Sequence, residues 1–158
     1  MVKLRPVVDA DCKLLWRWAN DPTARAASFD PRPIAWGEHV AWFRARRSDG
    51  HSRIYVIEDS GQPVGVVRFA LEGPGEAVVS INIAPAARGR GIGPDALRQA
   101  CALVFEEDAV SAVTAYIKPE NAASLRAFEQ AGFAHTGSTA REDETAMVMR
   151  WTADALRS

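Results

Sequence analysis

Cysteine is nearly absent: Cys12 and Cys101 are the two in 158 residues, and both lie in helix-like patterns among apolar neighbours. A disulfide framework or a thiolate metal site needs more cysteines, or Cys and His at close spacing, and the chain offers neither. Both thiols read as buried apolar side chains, and no metal is expected. Excess charge of one sign is also lacking. The formal net charge is -1, so no global field draws the chain to nucleic acid or anionic lipid. A polyanionic ligand would have to be met by a local arrangement of donors. No stretch approaches the ~20 apolar residues of a membrane helix, and Met1-Val2-Lys3-Leu4-Arg5-Pro6 lacks the apolar run of a signal peptide. The expectation is a cytoplasmic protein with no nucleic-acid or membrane partner. No repeat, low-complexity tract or linker divides the chain.

What is there suits one domain over 1–158, with a core at 2–151 and a tail at 152–158. Apolar residues make up 47% and charged residues 25%, the balance of a globular protein. Residues 2–8 read as a strand, after which Asp9 is placed to cap a helix over 10–19. Asp21-Pro22 is an N-cap followed by proline at the first helical position, opening a short helix to Ala27. Residues 28–34 read as a loop, and a third helix runs from Ala35 to Arg47 with Trp36, Val40 and Phe43 on one stripe. The period then changes. Strands are expected over 53–58, 63–71 and 77–83, joined by Gly- and Pro-containing turns short enough to make them antiparallel. A helix over 91–105, a strand over 112–117, a helix over 121–130 and strands over 133–140 and 145–151 complete the order. This predicts an α/β (α+β) fold: a mixed, mostly antiparallel sheet of six to seven strands with helices on both faces. An exposed edge strand in the C-terminal half would let two subunits pair, so the expected state is monomer or homodimer.

Between a strand and a helix stands Arg88-Gly89-Arg90-Gly91-Ile92-Gly93. The first amides of a helix lack intrahelical partners and carry partial positive charge. Glycines at 89, 91 and 93 let a diphosphate approach the backbone, and Arg88 and Arg90 can add charged donors. A tight turn without a ligand uses the same residues. A P-loop would need Gly-Lys followed by Ser or Thr, where this loop runs to Gly93-Pro94-Asp95. A dinucleotide loop would follow its strand directly and be answered by an acidic residue, where the next strand ends at Lys118.

Arg88-x-x-Gly91-x-Gly93 resembles the phosphate-loop signature of the GNAT N-acetyltransferases. Asn121-Ala122-Ala123-Ser124 followed by Phe128-Glu129-Gln130-Ala131-Gly132-Phe133 resembles that family's second segment, and the element order over 2–151 is similar as well. The resemblance implies acetyl-CoA as cosubstrate, with its pyrophosphate on the amides of residues 88–93, Ile92 included. It implies pantetheine along the strand ending at Ile83, with Asn121 against the pantetheine or the thiol end and Ser124 and Phe128 also among the cofactor-binding residues. The Ile83 N–H would polarise the thioester carbonyl. Phe128 occupies the position where many members carry a tyrosine acid. Ser124 is then the substitute, as in ribosomal-protein-type members; a Ser124 that merely caps or packs in its helix is the alternative. The strand before Ile83 offers Ser80 and Asn82 where a carboxylate often stands, either of which can orient a proton-accepting water. Glu38 and His39 are further base candidates.

The acceptor is expected to be a small-molecule amine. Trp16-x-Trp18-x-Asn20-Asp21-Pro22, Arg25, His39, Trp42-Phe43 and Arg68 are similar to acetyltransferases acting on nucleotide-linked amino sugars of nonulosonic acid synthesis. Asn20, Arg25, His39, Trp42 and Arg68 are therefore the expected acceptor residues. A ribosomal-protein-type N-terminal acetyltransferase and a non-catalytic acyl-CoA-binding module remain the other readings.

Overall fold

The structure is a computed structural model that describes residues 2–157; the expectations touching Met1 and Ser158 lie outside it. Its strands are β1 (Val2–Pro6), β2 (Ser52–Asp59), β3 (Gln62–Leu71), β4 (Glu76–Ile83), β5 (Ala112–Ile117), β6 (Ala134–Arg141) and β7 (Glu144–Thr152). Its helices are α1 (Cys12–Ala19), α2 (Pro22–Ala27), α3 (Trp36–Ser48), α4 (Ile92–Asp108) and α5 (Ala122–Gln130). The seven strands form one sheet in the order β1-β2-β3-β4-β5-β7-β6. Every neighbouring pair is antiparallel except β4 and β5. Helices flank the sheet, α1 and α3 against the β2–β4 half and α4 against β1, β3 and β4, with α5 packed on α4.

The period-2 alternation of β3 and β4 decides which side chains serve which layer. Val67 and Phe69 are essentially inaccessible, as are Val113, Met149 and Trp151 farther along the sheet. Each such side chain contributes roughly 1.5–3 kcal/mol when removed from water. The opposite face carries Val66 and Arg68 on β3 and Ser80 and Asn82 on β4, as paired neighbours.

Three local expectations are corrected. Asp9 does not cap α1; it opens a single 3-10 turn that the Asp11 carboxylate closes, and Asp11 stands at the N-cap of α1 without a side-chain bond to that helix. Asp11 accepts from the Val8 amide at 2.8 Å and from Arg5 at 2.8 and 2.9 Å. Burial explains the choice, since Asp11 is enclosed and its charge needs the guanidinium, whereas Asp9 is open to water. The stripe of α3 is rotated from the Trp36-Val40-Phe43 expectation. His39 and Phe43 face inward, while Trp36 is 45% exposed. Residues 153–157 wind into a 3-10 helix instead of leaving as a tail, with the Ala153 amide bonded to the Ser111 carbonyl at 2.8 Å.

The β6–β7 hairpin turns on Glu142 and Asp143, with φ of 48° and 64°. Two consecutive left-handed residues are what a two-residue hairpin loop requires. β6 is the exposed edge that the C-terminal sequence suggested.

Candidate active site

The parallel pair is the weak seam of the sheet. β4 and β5 are in register only from Glu76 to Val78 against Ala112 to Thr114, and beyond that point they diverge. The direction of the freed groups follows from the other edge of β4. The Ala84 amide bonds to the Val64 carbonyl at 2.8 Å. In an antiparallel ladder such bonded pairs alternate, so residues 82, 80 and 78 also face β3. Residues 79, 81 and 83 then turn their N–H and C=O groups toward the opening. Arg88 Nε donates to the Ile83 carbonyl oxygen at 3.1 Å. The Ile83 N–H points into the cleft, and β5 supplies it no ladder partner.

At the mouth of this cleft lies the loop of residues 88–93, after a 3-10 turn at Pro85–Ala87. Gly89 and Gly91 take φ of 78° and 74°, and a Cβ at either would meet nothing within 4 Å. Their bareness therefore serves the turn and whatever approaches it. Gly93 is different: its Cβ would come to 3.7 Å from the Ala127 methyl, an ordinary contact between α4 and α5. Gly91 is the N-cap of α4 and offers no side-chain bond to the helix's first amides. Those amides and the positive end of a 17-residue helix make a site for an anion.

The two arginines behave unlike the expectation placed on them. Arg88 turns inward, meeting Asp21 at 2.8 Å and Asn82 Oδ1 at 3.5 Å in addition to the Ile83 carbonyl. Arg90 pairs with Asp59 at 2.8 Å. Both side chains are thus paired within the protein and the loop presents its main-chain amides, while Arg88 pins the end of β4 to the start of α2. Asp21 Oδ2 also accepts from the Ala24 amide at 3.2 Å. Although partial burial works against ionisation, the Arg88 and backbone hydrogen bonds hold the Asp21 carboxyl below its usual range.

On the β5 side, Asn121 caps α5, its Oδ1 accepting from the Ser124 amide at 3.2 Å. Only the Asn121 carboxamide nitrogen is left to face a ligand. Ser124 is half-buried in the first turn of α5. Phe128 is 3% exposed and stands edge-on to Phe133 at 4.9 Å, which gives its ring a place in the core instead of on the cleft wall. Lys118, just beyond β5, is buried; it donates to the Ala26 carbonyl at 3.0 Å and lies 3.4 Å from Glu144. Arg88–Asp21 and Lys118–Ala26 together strap α2 across both strands of the opening. In the sequence Asp21 stands out as a helix cap and as part of the Trp16–Pro22 pattern, and Lys118 only as a strand end. An isolated apolar strand ending in lysine was the one available signal.

The acceptor candidates divide sharply. Asn20 exchanges bonds with the Ile34 backbone, donating at 2.9 Å and accepting at 2.8 Å. Arg25 donates to the carbonyls of Ala19, Asp30 and Arg32 at 2.6, 3.0 and 3.2 Å. Both hold the loop between α2 and α3. His39 is 4% exposed, its Nε2 lies 2.8 Å from the Cys12 carbonyl oxygen, and Trp36, Trp42 and Phe43 surround its ring. Burial, reinforced by Arg68, holds His39 below its ordinary pKa against the opposing effect of that hydrogen bond. It is a neutral donor to Cys12. Glu38 is exposed in the first turn of α3. Asn82 is committed too, donating to the Trp18 carbonyl at 3.1 Å. Ser80 is exposed opposite Arg68, and the Arg68 guanidinium lies over the Trp42 ring at 4.9 Å. Among the described residues no group of three or more His, Cys, Asp or Glu is placed to hold a metal. Nor is any helix there long and apolar enough to cross a membrane.

Known proteins resemble this chain in sequence and in fold. The sequence profile of the acetyltransferase (GNAT) domain matches residues 2–134. Phosphinothricin N-acetyltransferase of Streptomyces coelicolor is 28% identical over 146 residues, covering 87% of this chain and 84% of that protein. An aminoglycoside acetyltransferase solved with coenzyme A superposes with a TM-score of 0.88 at 19% identity, over 99% of this chain and 98% of that one. Spermidine N-acetyltransferase from Vibrio cholerae, solved with CoA and spermine, gives 0.88 at 18% identity over 99% and 98%. At such identities the last two speak to the fold.

Proposed function

The chain belongs to the GNAT acetyltransferase family of acyltransferases, and on that premise we propose that it transfers acetyl from acetyl-CoA to a primary amine of a small molecule. The observation that carries this reading is the cleft between β4 and β5, with the Ile83 amide aimed into it and the amides of residues 88–93 at its mouth. Pyrophosphate on those amides lays pantetheine along residues 79–83. The thioester carbonyl then lies against the Ile83 N–H.

The amine nitrogen attacks the carbonyl carbon, and the negative charge that forms on oxygen is met by that N–H. Collapse of this intermediate breaks the C–S bond, and the protonated amide nitrogen loses its proton to water in the open cleft. The departing thiolate is tolerable as an anion, its thiol having a pKa near 8.5. Proton donation by Ser124 would add only about 10²–10⁴-fold. No strong acid is therefore demanded, which fits a buried Phe128. A nucleotide-linked amino sugar remains the acceptor suggested by the sequence pattern. Asn20, Arg25 and His39 are occupied by backbone partners, so Arg68 is the residue still favouring it.

The test is release of free thiol from acetyl-CoA in the presence of a panel of primary amines. Thiol release that depends on the amine, with an acetamide product by mass spectrometry, is expected. Tight CoA binding with no transfer to any amine would instead make the chain an acyl-CoA-binding module.

A further inference from the structure

We propose that Arg68 anchors an anion subsite, so that the amine acceptor carries a carboxylate or phosphate at the end remote from its amine. This rests on the acetyl-transfer reading and specifies its substrate class. Six arginines in the described residues are not exposed: Arg5, Arg25, Arg53, Arg68, Arg88 and Arg150. Five of them donate to a carboxylate or a carbonyl. Arg68 has neither. Its guanidinium meets the face of Trp42, and its charged neighbours are two more cations, Arg25 and Arg46. Burial and those cations both push it below the usual arginine range. A cation partly withdrawn from water without a counter-ion is costly to the free protein, and an oxyanion ligand is what would offset it.

The site is also reachable. Ser80, directly across from Arg68, and Ala70, two residues along β3, are exposed, so the sheet is bare on that side. Trp42 covers one face of the guanidinium and no hydrogen-bond acceptor meets its N–H edge among the described residues, so that edge can pair with a planar oxyanion. Ser80 and Ile83 are three positions apart along β4, about 10 Å at ~3.3 Å per residue. An acceptor that spans this distance places its amine at the thioester and its anion at Arg68. A polyamine would instead set a second positive charge against Arg68, Arg25 and Arg46. The carboxylate of an amino acid and the diphosphate of a nucleotide-linked amino sugar share the required chemistry.

The protein would be saturated with CoA, so that the 88–93 loop is filled, and titrated calorimetrically with uridine diphosphate and with glutarate. Saturable binding of one of them is expected, at least tenfold weaker in Arg68→Met and partly restored in Arg68→Lys, with CoA affinity unchanged. Whichever anion binds identifies the source. Failure of both to bind the CoA-loaded protein, or equal binding by Arg68→Met, overturns the subsite.

Turnover supplies the second arm, with acetyl-CoA and glutamate, a uridine-diphosphate-linked amino sugar, and spermidine. An anionic amine should exceed spermidine at least tenfold in kcat/KM, and Arg68→Met should raise its KM more than it lowers kcat. Preference for spermidine would sink the proposal. Anion binding that depends on Arg68, without acetylation of any amine, would uphold the subsite and remove the enzymatic reading instead.

Discussion

At the proposed donor end of the cleft, Ile83 and Gly91 stand out for where their amides point; at the proposed acceptor end, Asn20, Arg25 and His39 stand out for what they hold. Side chains near the 88–93 loop turn away from the ligand space, Arg88 toward Asp21 and Arg90 toward Asp59. On the α1–α3 side Asn20, Arg25 and His39 are consumed by the backbone of α1 and of the α2–α3 loop, and Arg68 alone is left uncommitted among the half-buried arginines of the described residues. The comparison teaches that a charged residue in a binding motif need not touch the ligand. Its work can be to aim the backbone that does.

The strongest way to break this contrast is at Gly91. Valine there must adopt a left-handed φ and project a side chain into the ligand space, so CoA affinity should fall at least about 100-fold. Calorimetry would read it, with circular dichroism confirming the fold. Unchanged affinity would end the main-chain account of the donor end.

Next in size is Arg88→Gln, which strands the Asp21 carboxylate and loosens Ile83. A loss of about 1–3 kcal/mol in urea denaturation is expected, with CoA affinity reduced far less than in the glycine variant. The opposite pattern, full stability and collapsed affinity, would return Arg88 to the phosphate.

His39 sharpens the acceptor side. Its folded pKa lies below 6.5, so on acidification the unfolded chain takes up the proton first. The stabilising effect is complete above pH 6.5 and is lost as pH falls toward the folded value. Denaturant midpoints at pH 7.5 and 5.5 should therefore separate more in the parent protein than in His39→Gln. An equal separation would mean that the imidazole titrates freely. Smallest of all, Arg90→Ala should change stability by less than about 0.5 kcal/mol, because its pair with Asp59 is largely solvated. It should leave CoA affinity within about twofold. A tenfold loss would show that Arg90 leaves Asp59 for the ligand.

Element order, the antiparallel run of β2 to β4 and the loop before α4 were legible because each rests on local signals: period-2 alternation, glycine and proline placement, and the spacing of Arg88, Gly91 and Gly93. Asp11 in place of Asp9, the rotated stripe of α3 and the inward Arg88 were not. Each was settled by a partner distant in sequence or outside the local pattern: Arg5 for Asp11, the Cys12 carbonyl for His39, Asp21 for Arg88. Lys118 escaped notice for the same reason, its partners Ala26 and Glu144 lying on other elements. Whether a polar residue is spent on the fold or left for a ligand is decided by tertiary neighbours.

The divergence of β4 from β5 has a further bearing on how such a site fails. An amide aimed into the opening is present whatever side chain its residue carries, so most substitutions along residues 79–83 leave the gripping atoms in place. The mutational target shrinks to changes that delete the N–H itself, as proline at Ile83 would, and to Cβ atoms forced onto Gly89 or Gly91. Random mutation should therefore inactivate donor binding at few codons, and chemically mild replacements elsewhere along the strand should pass unnoticed.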